Sequence, residues 1–166
     1  MKNQVIDEGG PTGTGSRHSE KNDRSAVNPD ADRPLDLIQM WVVPDESEVT
    51  PGYEQLELDP SGLQGRLAVV ASGMTRHRDQ AAIRIRNRYA ALHVARLEPG
   101  ESVTVPDAPF VHVYLARGKM DLETEGLLDA GDAARLTAAG ERRLDAAEPS
   151  EVLIWEMHAS LSPAAR

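Results

Sequence analysis

Five histidines (His18, His77, His93, His112 and His158) and no cysteine set the chemistry open to this chain of 166 residues. Without thiols there is no disulfide, no thiolate nucleophile and no Cys-ligated zinc or iron–sulfur centre. A metal would have to be held by imidazoles and carboxylates. Such a site needs three or four donors converging from neighbouring strands or from one helix. Residues i and i+2 of a strand share a face, so Hx[HE] is the spacing to seek, and His18-Ser19-Glu20 is the one match. By itself, one HxE inside the Gly-rich stretch GGPTGTGSRHSE reads as a solvated loop. His93 alternates with Ala91 and Ala95, and His112 with Phe110 and Tyr114; neither has a carboxylate at strand spacing. Both read as half-buried side chains on the second face of a strand. His77, in TRHRDQ, and His158, after the last apolar run, read as exposed.

Nucleophile chemistry has no anchor, because no G-x-S-x-G elbow occurs. The glycines of GGPTGTG lack the preceding strand and following helix that a phosphate-cradling loop requires, so they read as a tight turn leading into HSE. Arginine is concentrated instead. Seven arginines and one acid, Asp79, lie between Arg66 and Arg96, a local balance of +6. Arg84, Arg86 and Arg88 alternate with Ile83 and Ile85, which places three guanidiniums on one face of a strand. The plain reading is a solvated outer face that protects a sheet edge. The sharper one is a patch for an anion or an acidic partner.

The elements that must position these groups are short. From Leu35 onward, apolar runs alternate with turn residues: LDLIQMWVV, RLAVVAS, AAIRIR, YAALHVARL, SVTV, PFVHVYLARG, KMDLET, GLLDAGDAARLT and EVLIWEMHA. Spacers such as EPGES, PDAP and DAGD predict antiparallel hairpins in an all-β sandwich or barrel. DAARLTAAGERRLDAAE has helical propensity, but Gly131, Gly140 and Pro149 cut it into pieces too short for a stable helix. The first 34 residues carry only Met1, Val5, Ile6, Ala26, Val27 and Ala31 as apolar groups, so alone this segment is expected to be mobile. No run is long enough to span a membrane, and MKNQVIDEGG has no signal-peptide core. A formal charge of −9 argues against general nucleic-acid binding. The expectation is a cytoplasmic protein.

Three words then stand out in order and separation: GTG-x-x-HSE-x-N (Gly13 to Asn22), L-x-x-x-Q-x-W-x-x-P (Leu35 to Pro44) and P-x-Y-E-Q (Pro51 to Gln55). Together they resemble the pirin family, bicupin proteins with quercetin dioxygenase-like activity. The resemblance implies a first cupin holding one iron-type metal through three histidines and a glutamate. Two of those histidines come from an HxH motif. The other two ligands form the HxE that His18 and Glu20 match, and the ligand glutamate is proposed to help take the substrate's proton. The second cupin of the family normally carries no metal. Protein-binding roles are implied as well.

No HxH precedes His18, so His18 and Glu20 are half of that coordination sphere. The expected organisation is a remnant of the first cupin's metal motif at 1–34, its last strand and connector at 35–60, a degenerate second cupin at 61–160 and a tail at 161–166. The expected fold is a single cupin-like (double-stranded β-helix, jelly-roll) barrel. The leading functional expectation is an N-terminally truncated pirin-like binding module that holds no metal tightly. The alternative is a dioxygenase whose site is completed by another chain or a missing first cupin. There His18 and Glu20 would bind Fe(II) or another divalent metal, and Glu20 would act as base toward a flavonol-like molecule. An upstream in-phase frame encoding an HxH-bearing cupin would supply the missing pair. LIQMWVV, with Trp41, is expected to complete the remaining sheet or to pair with a partner, either a second copy or a separately encoded first cupin.

Overall fold

The architecture follows from strands that are buried on one face or on both. In the computed structural model, which describes residues 4–7 (backbone), 37–48 and 50–159, the chain is almost entirely β. The strands are β1 (Gln4–Asp7), β2 (Gly52–Gln55), β3 (Ala68–Ser72), β4 (Ile83–Arg84), β5 (Ala90–Leu97), β6 (Ser102–Val105), β7 (Phe110–Arg117), β8 (Lys119–Leu122), β9 (Gly126–Asp129), β10 (Ala133–Thr137), β11 (Arg142–Ala146) and β12 (Ser150–Met157). A six-stranded sheet in the order β10-β7-β12-β5-β3-β4 packs over a four-stranded sheet in the order β6-β11-β8-β9. The pairings are antiparallel except β3 with β4. A separate ribbon joins β1 to β2.

Between the sheets lies one core. Val111, Val113, Leu115, Val152, Ile154, Ala95 and Leu97 come from the large sheet, and Val103, Val105, Met120, Leu122 and Leu144 from the small one. Each fully buried aliphatic side chain of this kind contributes about 1.5–3 kcal/mol relative to exposure. A second cluster covers the outer face of the large sheet, with Val70, Leu92, Val94, Leu153 and Trp155 at its centre. This explains the texture of β12. It is central, flanked by β5 and β7, and buried on both faces, so Val152–Trp155 (VLIW) is continuously apolar where an outer strand would alternate.

Within this chain LIQMWVV does not complete the sheet, the first of its two expected roles. Residues 37–48 contain no ladder strand. Ile38, Met40 and Val42 instead lie on the outer cluster of the large sheet, and the Trp155 indole N–H points at Met40 Sδ at 3.1 Å. The pattern is amphipathic, and its apolar face meets the outer face of the large sheet rather than an edge. Leu37, Trp41 and Val43 face outward, with Trp41 69% exposed. Within the stretch expected to be mobile alone, Gln4–Asp7 forms β1; the rest of 1–34, including His18 and Glu20, and the tail at 161–166 lie outside the described residues.

Two glycines fix the geometry at opposite ends of the large sheet. Gly118 links β7 to β8 at φ +83°, and a Cβ there would stand 2.4 Å from the Pro149 carbonyl oxygen. Gly73 follows β3 where the chain passes the backbone of Ile85 and Asn87, and a Cβ would come within 2.1 Å of the Asn87 oxygen. That close approach lets the chain turn over the end of the large sheet and deliver a one-turn 3-10 helix, Thr75–His77.

Candidate functional site

The end of the barrel capped by this turn gathers polar groups that the sequence leaves far apart. Glu156 and His93 take the core-facing positions of β12 and β5, on the same side as Ile154 and Ala95. Glu156 is almost fully enclosed, its side chain 4% exposed. His93 Nε2 lies 2.9 Å from Glu156 Oε2, and His158 Nε2 lies 2.6 Å from Oε1. Arg76, on the 3-10 turn, brings Nη2 against the same Oε1 and to 3.2 Å from His158 Nε2. Its Nε is 3.3 Å from His77 Nε2. The His77 and His93 rings meet edge to face with centroids 5.7 Å apart.

Donor and acceptor rules order this network. Arginine can only donate, so His77 Nε2 must accept and His77 Nδ1 must carry the hydrogen. His77 Nδ1–H then donates to Ser72 Oγ at 3.1 Å, and Ser72 donates to the Ala90 carbonyl at 3.3 Å while accepting from Met74 N–H. Around Glu156, an acceptor, His93 and His158 each donate through Nε2–H, so Arg76 Nη2 is a neighbour of His158 Nε2 and not its hydrogen-bond donor. Burial first, then the charges of His77 and Arg76, push the His93 imidazole down to about 4, so it is a neutral donor at physiological pH. Burial likewise lowers His77, helped by the charges of Arg76 and His158, and lowers His158, helped by Arg76. One carboxylate is therefore compensated by one guanidinium and two neutral imidazoles, a satisfied arrangement for a buried charge.

Against the sequence expectations, His77 is buried rather than exposed, and His93 has a carboxylate partner. The partner is on the adjacent strand, where spacing along one strand cannot reveal it. His158 is exposed as expected, yet its ring reaches Glu156. His112 is half-buried on the outer face beside Trp155 and Arg135, and burial followed by the Arg135 charge lowers it. Sequence reasoning missed Arg76, Glu156 and Ser72 altogether. A faint signal was available: Glu156-Met157-His158 repeats the i, i+2 logic of an acid and an imidazole in reversed order.

The arginines at 84, 86 and 88 keep the expected alternation, exposed while Ile83 and Ile85 are buried. Only Ile83–Arg84 pairs as a strand, because the chain leaves the parallel ladder with β3 after two residues. Arg88 Nε is 2.5 Å from Asp45, with Glu46 at 3.6 Å from its Nη2. Burial would raise the Asp45 carboxyl, but hydrogen bonds from the Arg88 side chain and backbone outweigh it and hold Asp45 below its ordinary range. The Arg84 backbone N–H donates to Glu54. Acidic side chains from 45–54 of this same chain thus lie along the basic run.

A metal fit can be judged for the described residues. None of them forms a group of three or more His, Asp or Glu side chains able to hold a metal ion. The assembly around Glu156 holds a guanidinium against its carboxylate. His18 and Glu20 lie outside the described residues. No helix among the described residues is long and apolar enough to cross a membrane.

Two facing antiparallel sheets, with a polar cluster at one end of the space between them, define a cupin-type sandwich. Its overall form matches the bacterial pirin YhhW of Escherichia coli, solved in complex with nickel(II), with a TM-score of 0.61 over 72% of this chain and 49% of that one, at 20% identity. Residues 69–157 match the quercetinase C-terminal cupin domain, and the chain belongs to that pirin family. A Mycobacterium tuberculosis H37Rv relative, which bears a provisional quercetin 2,3-dioxygenase name, is 47% identical over 153 residues. That alignment takes in 92% of this chain and 59% of the relative, so the chain spans about three fifths of the relative's length. The quercetin 2,3-dioxygenase of Escherichia coli K12 is 41% identical over 59 residues, 36% of this chain and 22% of that protein.

Proposed function

We propose that this cupin works by binding and has no dioxygenase chemistry of its own. The observation that supports the reading is the Arg76–Glu156 pair. Both carboxylate oxygens are committed, and the nearest imidazoles serve as hydrogen-bond donors rather than as lone pairs for a metal. The partner in this reading is a first cupin or a second copy of the chain, seated on the ridge of Leu37, Trp41 and Val43. An exposed Trp flanked by aliphatic side chains has the composition of an interface anchor.

A second reading has its own support. The HSE at 18–20 and the quercetin 2,3-dioxygenase names of the relatives favour a metal site completed by an HxH from outside this sequence. In it, His18 and Glu20 would hold Fe(II) or another divalent metal. The metal would supply a Lewis acid toward a flavonol-like substrate, and Glu20 would take the substrate's proton.

Oxygen uptake with quercetin separates the two. The purified chain, given Fe(II), Mn(II) or Ni(II), should consume oxygen no faster than the metal and quercetin alone. Turnover abolished by His18→Ala and by Glu20→Gln would establish the second reading instead.

A further inference from the structure

The groups around Arg76 are an unusual company for an arginine. Three imidazoles and one carboxylate (His77, His93, His158 and Glu156) are the donor types that bind borderline divalent metals. Here three of their atoms, His77 Nε2, His158 Nε2 and Glu156 Oε1, surround the guanidinium, while His93 Nε2 holds the other carboxylate oxygen. Their supports resemble those that orient metal ligands: His77 is fixed from behind through Nδ1 by Ser72, which is itself anchored to Ala90 and Met74. Glu156 is enclosed on β12, whereas Arg76 enters from solvent, its side chain 52% exposed. The carboxylate thus belongs to the rigid sheet, and the cation arrives on a one-turn helix.

We propose that Arg76 is a built-in cation standing in the place of a metal ion at the barrel mouth, and that it is what closes His77, His158 and Glu156 to divalent metals. A buried carboxylate requires a positive partner, and a guanidinium or a metal can each meet that requirement. The two are exclusive. Arg76 sits on Oε1 of Glu156, with the His77 Nε2 lone pair facing it and the His158 Nε2 hydrogen directed to the carboxylate. Once the guanidinium is gone, a shift of the His158 hydrogen to Nδ1 frees a second Nε2 lone pair beside the one that His77 already presents there. The proposal extends the reading of this cupin as metal-free by naming the residue that makes it so.

The test is calorimetric titration of nickel(II) into the full chain carrying His18→Ala, which removes the half-site at 18–20, with and without Arg76→Met. The His18→Ala chain should take up no nickel at this cluster. Adding Arg76→Met should create one site per chain of micromolar or tighter affinity, and a further Glu156→Gln should weaken it at least a hundredfold. A folded His18→Ala/Arg76→Met chain, judged by circular dichroism and solution mass, that takes up no nickel would overturn the proposal. If Arg76→Met proves unfolded alone, nickel present during refolding should restore the native spectrum, and failure to do so would overturn it equally. Nickel uptake by His18→Ala with Arg76 intact, lost on Glu156→Gln, would overturn both the proposal and the metal-free reading. Absence of uptake in the Arg76→Met chain would leave that reading standing.

Discussion

Glu156→Ala is expected to lower the unfolding free energy by about 2–4 kcal/mol, one of the largest losses available to a single polar substitution in this chain. Removing one partner of a buried ion pair leaves the rest without compensation. His93, enclosed between the sheets, would keep an Nε2–H with no acceptor, and this is the dominant loss. Arg76 is half in solvent and can turn outward, so its share is discounted. Glu156→Gln keeps an acceptor oxygen and the side-chain shape, so its loss should be smaller. Urea unfolding of the two variants beside the wild type measures both effects. A Glu156→Ala chain within about 0.5 kcal/mol of wild type, the range of ordinary surface changes, would mean that the cluster is not a structural unit.

The second large effect is acid sensitivity. In the unfolded chain His93 titrates near its ordinary value of 6.5, whereas in the folded chain it is held down to about 4. Between those values the unfolded state binds a proton that the folded state refuses, so stability falls as pH falls. The contribution is fully present above about pH 7. It is lost progressively toward pH 4, and the difference between the two values corresponds to up to about 3 kcal/mol. His77 and His158 are lowered too and add in the same direction, while Asp107 opposes the effect at His158. The groups facing His93 are Glu156, His77 and Arg76, and all remain when His93 alone is changed. His93→Asn should therefore flatten the slope of urea stability against pH between 6.5 and 4, even if it lowers stability at pH 7.5. An unchanged slope would assign the acid sensitivity to other groups.

Much of the fold was legible because β-structure writes itself in short range. SVTV is a strand in full, and YAALHVARL, PFVHVYLARG and EVLIWEMHA give β5, β7 and β12 to within about two residues at each end. The Ala-rich stretch is the two strands β10 and β11, as Gly131 and Gly140 required. LIQMWVV joins no ladder within this chain, and its pattern could not say so: an alternating apolar segment is equally at home in a ladder or flat against a sheet face. The polar cluster was illegible because its members sit at 72, 76, 77, 93, 156 and 158 and meet only through the β5–β12 pairing and the turn after Gly73. Spacing within one strand finds His18-Ser19-Glu20 but cannot find a histidine whose carboxylate lies on its neighbour. The pirin words at 13–55 reached the family, and the family match at 69–157 falls on the other side of the chain from them.

The account's central claim is that the carboxylate at the barrel mouth is neutralised by Arg76 and not by a metal. The most direct measurement is metal content, by plasma mass spectrometry, of wild-type chain incubated with nickel(II) and desalted, beside Glu156→Gln treated identically. The account predicts that the two retain the same amount, with none attributable to Glu156. One equivalent of nickel retained by the wild type and lost on Glu156→Gln would contradict it.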